Sequence, residues 1–240
     1  MRGETSTIGR ALLRRLWADP AWAGVRFLLT GRDSQALQRL LASPEAHAVE
    51  AEALQVDLCN PVQVKALRKR LQVAGPLQGL ALVAGIPPDP HLPKLEEADW
   101  DEVWQVNVGA HAQLLSDLNV PGRLAPLARG ILVGSIVGLR GNHGQAAYAA
   151  AKGSLVDLCP RAPQGLRLNV LLPPLVDSPL LKNLSPAARE RLFKTRWLDD
   201  PSPAESCAAS GAFLLSEDSS YIHRQLWHAD SRVTVLGSDL

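Results

Sequence analysis

Cysteine is scarce in this chain: three in 240 residues, Cys59, Cys159 and Cys207, with no C-x-x-C pair among them. That excludes a disulfide framework and a cysteine-based zinc site, and it fits a reducing, cytoplasmic setting with no bound metal. Long apolar runs are missing too; none approaches the roughly 18–20 residues of a membrane span. The Met1-Arg2-Gly3-Glu4 start holds no apolar signal core, so nothing in it directs secretion. Neither sign of charge dominates, with 25 basic against 24 acidic side chains. A general nucleic-acid or membrane-surface binder needs a basic excess, so neither partner is expected. Tandem repeats, low-complexity tracts and long linkers are also lacking. What remains, 46% hydrophobic and 20% charged, suits one globular domain over residues 1–240 with a sizeable core.

Short apolar runs alternate with amphipathic segments. The runs Val25–Leu29, Ala53–Val56, Gly79–Val83, Gly130–Val133, Arg167–Leu172 and, more weakly, Leu226–His228 are bounded by Gly, Pro or polar residues and predict buried parallel strands. Between them, Ile8–Leu16 carries apolar residues at 8, 12 and 16, the spacing of one helix face. Asp33-Ser34 predicts a cap for a helix from Gln35 to Leu41, and Pro61 suits the first turn of the next. This alternation predicts an α/β fold: a doubly wound, Rossmann-like parallel sheet in a three-layer α/β/α sandwich, with ligands at the carboxyl ends of the strands.

Three residues stand at a chemically suggestive spacing. Ser135 follows a predicted strand, Tyr148 comes thirteen residues later, and Lys152 lies four beyond that, on the same face of a helix. A lysine beside a phenol is expected to stabilise the phenolate and lower the tyrosine pKa. Such a tyrosine exchanges a proton with a carbonyl or alcohol oxygen, which a nearby serine hydroxyl can hold. Tyr-x-x-x-Lys also arises on ordinary solvated helices, so the pair alone does not decide.

The surrounding residues add a pattern. Gly134-Ser135-Ile136-Val137-Gly138 followed by Ala147-Tyr148-Ala149-Ala150-Ala151-Lys152-Gly153 resembles the active-site region of the short-chain dehydrogenase/reductase family. Val106-Asn107, Thr30-Gly31-Arg32, Val56-Asp57-Leu58, Ala84-Gly85, Asn169-Val170 with Pro173, and Ser219-Ser220-Tyr221-Ile222 through Asp230 resemble further family motifs in the family's order, over nearly the whole chain. The stretch from Ser135 to Gly144 and its sequel are most similar to 3-oxoacyl-(acyl-carrier-protein) reductases and related carbonyl reductases. The resemblance implies that Tyr148 is the proton donor or acceptor, Ser135 orients the substrate oxygen, Lys152 supports the tyrosine and the nicotinamide ribose, and Asn107 holds a water in a proton relay. Hydride then passes between nicotinamide and substrate carbon, chemistry that belongs to the cofactor.

The same resemblance assigns the cofactor residues. Gly3, Ser6, Thr7, Ile8 and Gly9 match the family's glycine-rich phosphate turn, with Thr7 in place of the middle glycine. Backbone N–H groups of such a turn and the following helix N-terminus face the pyrophosphate. Arg32 stands where an acidic residue would bind the ribose hydroxyls of NAD; its planar fork suits the 2′-phosphate of NADP, making NADP the expected cofactor and NAD the less expected one. Asp57 and Leu58 are implied to border adenine, Ala84 and Gly85 the ribose, and Pro173, Val176 and Ser178 the nicotinamide. By family position the segment at about 178–200 is the substrate lid, with Ser185-Pro186 and Glu190 predicting a capped helix.

The pattern also breaks. The family places a strand, typically about six residues long, before the glycine turn, and here only Met1 and Arg2 precede Gly3. Burying six such side chains is worth about 9–18 kcal/mol, comparable with the net stability of a domain at about 5–15 kcal/mol. The expectation is therefore a later start than the family's, or a fold that compensates. Leu82-Val83 replace two asparagines, Pro173-Pro174 replace Pro-Gly, and Ser231-Arg232 replace a Gly-Gly pair. Lys152 to Asn169 is shorter than the family norm. Pro160 and Pro163 interrupt the Tyr148 helix, and Pro121 and Pro126 the one before it, the two helices that form the family's dimer interface. A homodimer or homotetramer is thus expected in weakened form. Two functions follow: an NADP(H)-dependent reductase of a small carbonyl, alcohol or acyl-thioester substrate, or a catalytically weak partner subunit with a structural or regulatory role.

Overall fold

A computed structural model describes residues 6–86, 95–142, 144–177, 190 and 202–229. The first helix, α1 (Thr7–Ala18), starts where the Ser6 hydroxyl accepts the N–H of Gly9 at 3.3 Å, and it buries Ala11, Leu12 and Leu16. Helix α2 (Ser34–Leu41) is capped by Asp33, as the sequence predicts, through the N–H of Ala36 at 2.9 Å. Helix α3 (Pro61–Val73) begins on Pro61 behind an Asn60 cap. The strands are β1 (Arg26–Gly31), β2 (Glu50–Gln55), β3 (Leu77–Leu82), β4 (Leu124–Val133), β5 (Leu166–Leu172) and β6 (Leu226–His228). Each lies on the run read from the sequence, within a few residues. The largest difference is β4, which starts six residues before Gly130. The sequence places Pro126 as a break in the helix before Tyr148, but that helix ends at Leu118 and Pro126 lies within β4, where Leu127 adopts a left-handed φ of 62° and the register with β3 shifts between Leu77 and Gly79. An irregular strand of this kind tolerates a proline that a regular ladder would reject.

All pairings are parallel, in an α/β Rossmann-like arrangement, but the sheet is not continuous. Among the described residues β1 pairs only with β2, and β3-β4-β5-β6 form a separate sheet. Among the described residues no strand precedes α1. The seam lies between β1 and β3, at positions a continuous sheet would bury: Arg26 and Thr30 of β1 and Gly79 and Ala81 of β3 are exposed. The Arg26 guanidinium donates to the Ala74 carbonyl at 3.1 Å, tying the amino ends of the two sheets together.

Helices cover both faces. On one, α1 packs with the last helix, α8 (Ala204–Leu215), over Ile131 and Leu171, and Phe27 of β1 joins this cluster across the seam. On the other, Leu115 of α5 (Ala110–Leu118) and Leu155 of α7 (Ala146–Leu158) pack on Leu132, Leu168, Val170 and Leu172. Between α4 (Glu97–Trp104) and α5 the helix widens into a π turn, Gln105–Gly109. A short α6 (Val137–Arg140) follows β4. Helix α7 ends at Leu158 and tightens into a 3₁₀ turn at Cys159–Arg161, where Pro160 lies, and α5 ends before Pro121. No helix among the described residues is long and apolar enough to cross a membrane.

Candidate active site

The residues singled out in the sequence gather at the carboxyl ends of the strands. Ser135 follows β4 by two residues, and its hydroxyl accepts the N–H of Val137 at 3.2 Å. Tyr148 and Lys152 project from α7 one turn apart, with the lysine Nζ 5.8 Å from the centroid of the tyrosine ring. The expectation that Lys152 lowers the Tyr148 pKa is not met. Burial is the larger effect and raises it above 10; the hydrogen bond with Ser135 opposes this only in part. Lys152 is itself buried, donates to the Val133 carbonyl at 2.9 Å, and is pushed by desolvation from 10.5 to about 8.

The π turn delivers Asn107 to the same place. This fully buried side chain donates through Nδ2 to the carbonyls of Val103 (2.8 Å) and Ile86 (2.9 Å). Its Oδ1 has no partner. Gly85 explains how the groups converge: a Cβ there would lie 2.7 Å from Asn107 Oδ1 and 2.9 Å from Lys152 Nζ. Any other residue would push one of the two polar atoms away. Ala84-Gly85 thus follow β3 directly into the site.

The expected cofactor residues divide between the two sheets. Ser6 caps α1 while Thr7, Ile8 and Gly9 form its first turn, whose leading N–H groups lack intrahelical acceptors. Ile8 turns its side chain into the apolar cluster. A Cβ on Gly9 would meet Ser6 and Val83 only at ordinary distances, 3.5 and 3.7 Å. Arg32 follows β1 and faces Glu102 at 3.9 Å, so its guanidinium already has an acidic neighbour. Asp57 spends one carboxylate oxygen on the N–H of Cys59 at 2.9 Å, and the Leu58 carbonyl accepts from Gln105 at 3.1 Å. Pro173 follows β5. Val176 is buried in the cluster beneath α8 and bridges to Ser202. Gly3, Ser178 and the 178–200 segment apart from Glu190 lie outside the described residues.

Three contributors escaped the sequence reading. Gln105 links the π turn to Leu58. Gly138 lets α6 meet α7: a Cβ on it would lie 2.6 Å from the Lys152 carbonyl carbon and the Gly153 nitrogen. His111, one turn after Asn107, is buried with neither ring nitrogen hydrogen-bonded. Desolvation and then the nearby Lys152 charge lower its pKa to about 3, so the ring is neutral at physiological pH. The four-residue step from Asn107 was the signal for His111, since it places both on one helix face.

Residues 4–234 match the family described as enoyl-(acyl carrier protein) reductase. A (3R)-3-hydroxyacyl-CoA dehydrogenase of Rattus norvegicus is 31% identical over 233 residues, covering 92% of this chain and 89% of the relative. The 3-oxoacyl-(acyl-carrier-protein) reductase FabG of Rickettsia conorii is 27% identical, covering 95% and 92%. That of Escherichia coli K12 is 24% identical, covering 95% and 93%. These relatives are oxidoreductases acting between alcohol and carbonyl groups. With the parallel α/β architecture and a match over nearly the full length, the chain belongs to the short-chain dehydrogenase/reductase family.

Proposed function

We propose that the chain is an NADP(H)-dependent oxidoreductase that interconverts a carbonyl and an alcohol, with a 3-oxoacyl thioester as the favoured substrate class. It would act as one domain in the cytoplasm, as a homodimer or homotetramer, with 178–200 as the lid. The observation that carries the reading is the grouping of Asn107 Oδ1 and Lys152 Nζ beside Gly85 with Tyr148, whose ring lies 5.8 Å from that lysine and which is hydrogen-bonded with Ser135. The fit to a nicotinamide cofactor is good at this end. Asn107 Oδ1 has no partner, and the space beside Gly85 admits no side chain. Lys152, Tyr148, Ala84, Gly85, Pro173, Val176 and Ser178 would hold the nicotinamide half; Gly3, the first turn of α1, Arg32, Asp57 and Leu58 would hold the rest.

The bound cofactor supplies the hydride. The protein's part is proton transfer and position. Ser135 holds the substrate oxygen and Tyr148 donates its proton to it. Because burial favours the protonated, neutral phenol, Tyr148 holds the proton that reduction requires. Lys152 and Asn107 steady the water that restores the proton. A second reading, a weakly active partner subunit, draws support from the seam between β1 and β3 and from the Arg32–Glu102 contact, both at the adenosine end.

Fluorescence titration with NADPH and NADH separates them. The enzyme reading expects saturable binding with NADPH preferred, and an Arg32→Asp variant shifted towards NADH. It also expects Tyr148→Phe to lose turnover of a 3-oxoacyl thioester while keeping its cofactor affinity. No binding at millimolar cofactor would leave the partner-subunit reading; turnover retained by Tyr148→Phe would refute the proton role.

A further inference from the structure

The opposite rim of the four-stranded sheet, at the amino ends of its strands, concentrates positive charge. Arg129 of β4 and Arg167 of β5 are register partners, so their side chains leave the same face one strand spacing apart, about 4.8 Å. Two residues further along, Ile131 and four further, Leu171 belong to the same alternating set and enter the cluster beneath α1 and α8, which places the arginines at its edge. The turn into β6 brings His223 and Arg224 to this rim. Arg224 adopts a left-handed φ of 58°, rare for a residue with a side chain, and its N–H is held by the Leu168 carbonyl at 2.9 Å.

Like charges placed opposite each other on paired strands repel. Five other arginines of this chain meet acids: Arg26, Arg32, Arg39, Arg68 and Arg70. Among the described residues, no carboxylate pairs with Arg129, Arg167 or Arg224. Arg129 Nε, Arg167 Nη1 and His223 Nδ1 are buried without a hydrogen-bond partner. A buried donor without an acceptor costs free energy that a bound acceptor recovers. Burial, then Arg224 and Arg167, lower the His223 pKa, so the histidine adds a polar group and no further charge near neutral pH.

We propose that this rim is a binding site for a phosphate group, formed by Arg129, Arg167, His223 and Arg224. Arginine forks match phosphate oxygens in pairs, and a tetrahedral dianion can meet more than one fork, which a carboxylate cannot do as well. The site is separate from the proposed active site. Arg129 stands six residues before Ser135 along the chain, about 20 Å at strand rise, and the rim shares no residue with the groups proposed for reduction. Free orthophosphate and the end of a phosphomonoester share this chemistry.

The test follows the His223 ring by NMR, assigned with His223→Gln, while the full chain is titrated with sodium phosphate, ribose 5-phosphate, or sodium acetate at matched ionic strength. A bound dianion should raise the His223 pKa saturably, and acetate should not. Tighter binding of phosphate or of ribose 5-phosphate identifies the source. Arg167→Gln should weaken binding about tenfold or more, the loss of one charge-assisted contact. Without phosphate, the same variant should melt no lower than the parent, because it relieves a repulsion; a purely structural arginine would lower it. The proposal is overturned by no saturable shift, by an equal response to acetate, or by undiminished binding in Arg167→Gln.

Discussion

Replacing Lys152 with methionine should stabilise the cofactor-free protein. The ammonium is 3% exposed and has the Val133 carbonyl as its hydrogen-bond acceptor, at 2.9 Å. Desolvation lowers its pKa from 10.5 to about 8, which corresponds to about 3 kcal/mol against the charged form. The sign follows from proton linkage. Below pH 8 the lysine is charged in both folded and unfolded chains, and the folded state carries the full penalty. Between pH 8 and 10.5 the unfolded chain binds the proton more tightly, so folding stability recovers as pH rises. Methionine removes the penalty at similar length but leaves the Val133 carbonyl without its donor, costing about 1 kcal/mol. The net gain at pH 7 is about 2 kcal/mol, or about 4–8 °C in Tm for a chain of this size. Urea unfolding of both proteins from pH 6 to 11 should show the gain at low pH, its decline as pH rises from 8, and a reversal to a loss of about 1 kcal/mol above pH 10.5. A methionine variant less stable at pH 7, or a difference that ignores pH, would mean that the buried ammonium carries no such penalty. The proposed function requires the same variant to lose cofactor affinity, a trade of stability against function.

Gly138→Ala should act through the backbone. Its Cβ would sit 2.6 Å from the Gly153 nitrogen and Lys152 carbonyl carbon, so α6 and α7 must separate. Overpacking of this kind costs about 1–3 kcal/mol, read as a Tm drop of about 2–12 °C; an unchanged Tm would mean that the helices do not meet there. Hydrogen exchange should resolve the seam. Amides of β1 and β3 that point into it should exchange about a hundredfold or more faster than those of β5, which is paired on both sides. Equal protection across β3 and β5 would mean that the sheet is closed in solution.

Much of the architecture was legible because it rests on local chemistry. Asp33 and Pro61 mark helix starts whatever packs above them, and each did so. Apolar runs flagged each of the described strands, although only the carboxyl half of β4 and nearly all of β5 are buried as the sequence predicts. Where the reading failed, a non-local effect decided. β4 extends back through Pro126 because the β3 edge tolerates a register shift there, and no local signal carries that. The Tyr148 pKa moved opposite to expectation because spacing reveals which groups are neighbours, not how far water is excluded from them. Burial outweighs what the neighbouring lysine was expected to do. Gly85 and Gly138 fall within the motifs quoted from the sequence, but the close contacts that require glycine there come from the backbone or side chain facing them, which the sequence does not show.

The division of the sheet gives the two functional readings a physical basis. Ser135 follows β4, Gly85 follows β3, and Lys152 is anchored on the last carbonyl of β4, all within the four-stranded sheet and the helices packed on it. Arg32 and Asp57 follow β1 and β2, on the far side of the seam. The groups proposed for proton transfer therefore share one continuous hydrogen-bonded frame, while those proposed for the adenosine end are joined to it by α1, by Arg26 and by apolar contact. A ligand that spans both must fix the relative position of two sheets that no strand among the described residues joins, and ordering them subtracts from its binding free energy. The cost therefore falls on affinity for the whole cofactor, not on the geometry of the chemical groups. A fragment carrying only the nicotinamide and its ribose does not bridge the seam and should bind with little of this penalty. If the fragment and the full dinucleotide lose affinity alike relative to a family member with a continuous sheet, the seam is not the cause.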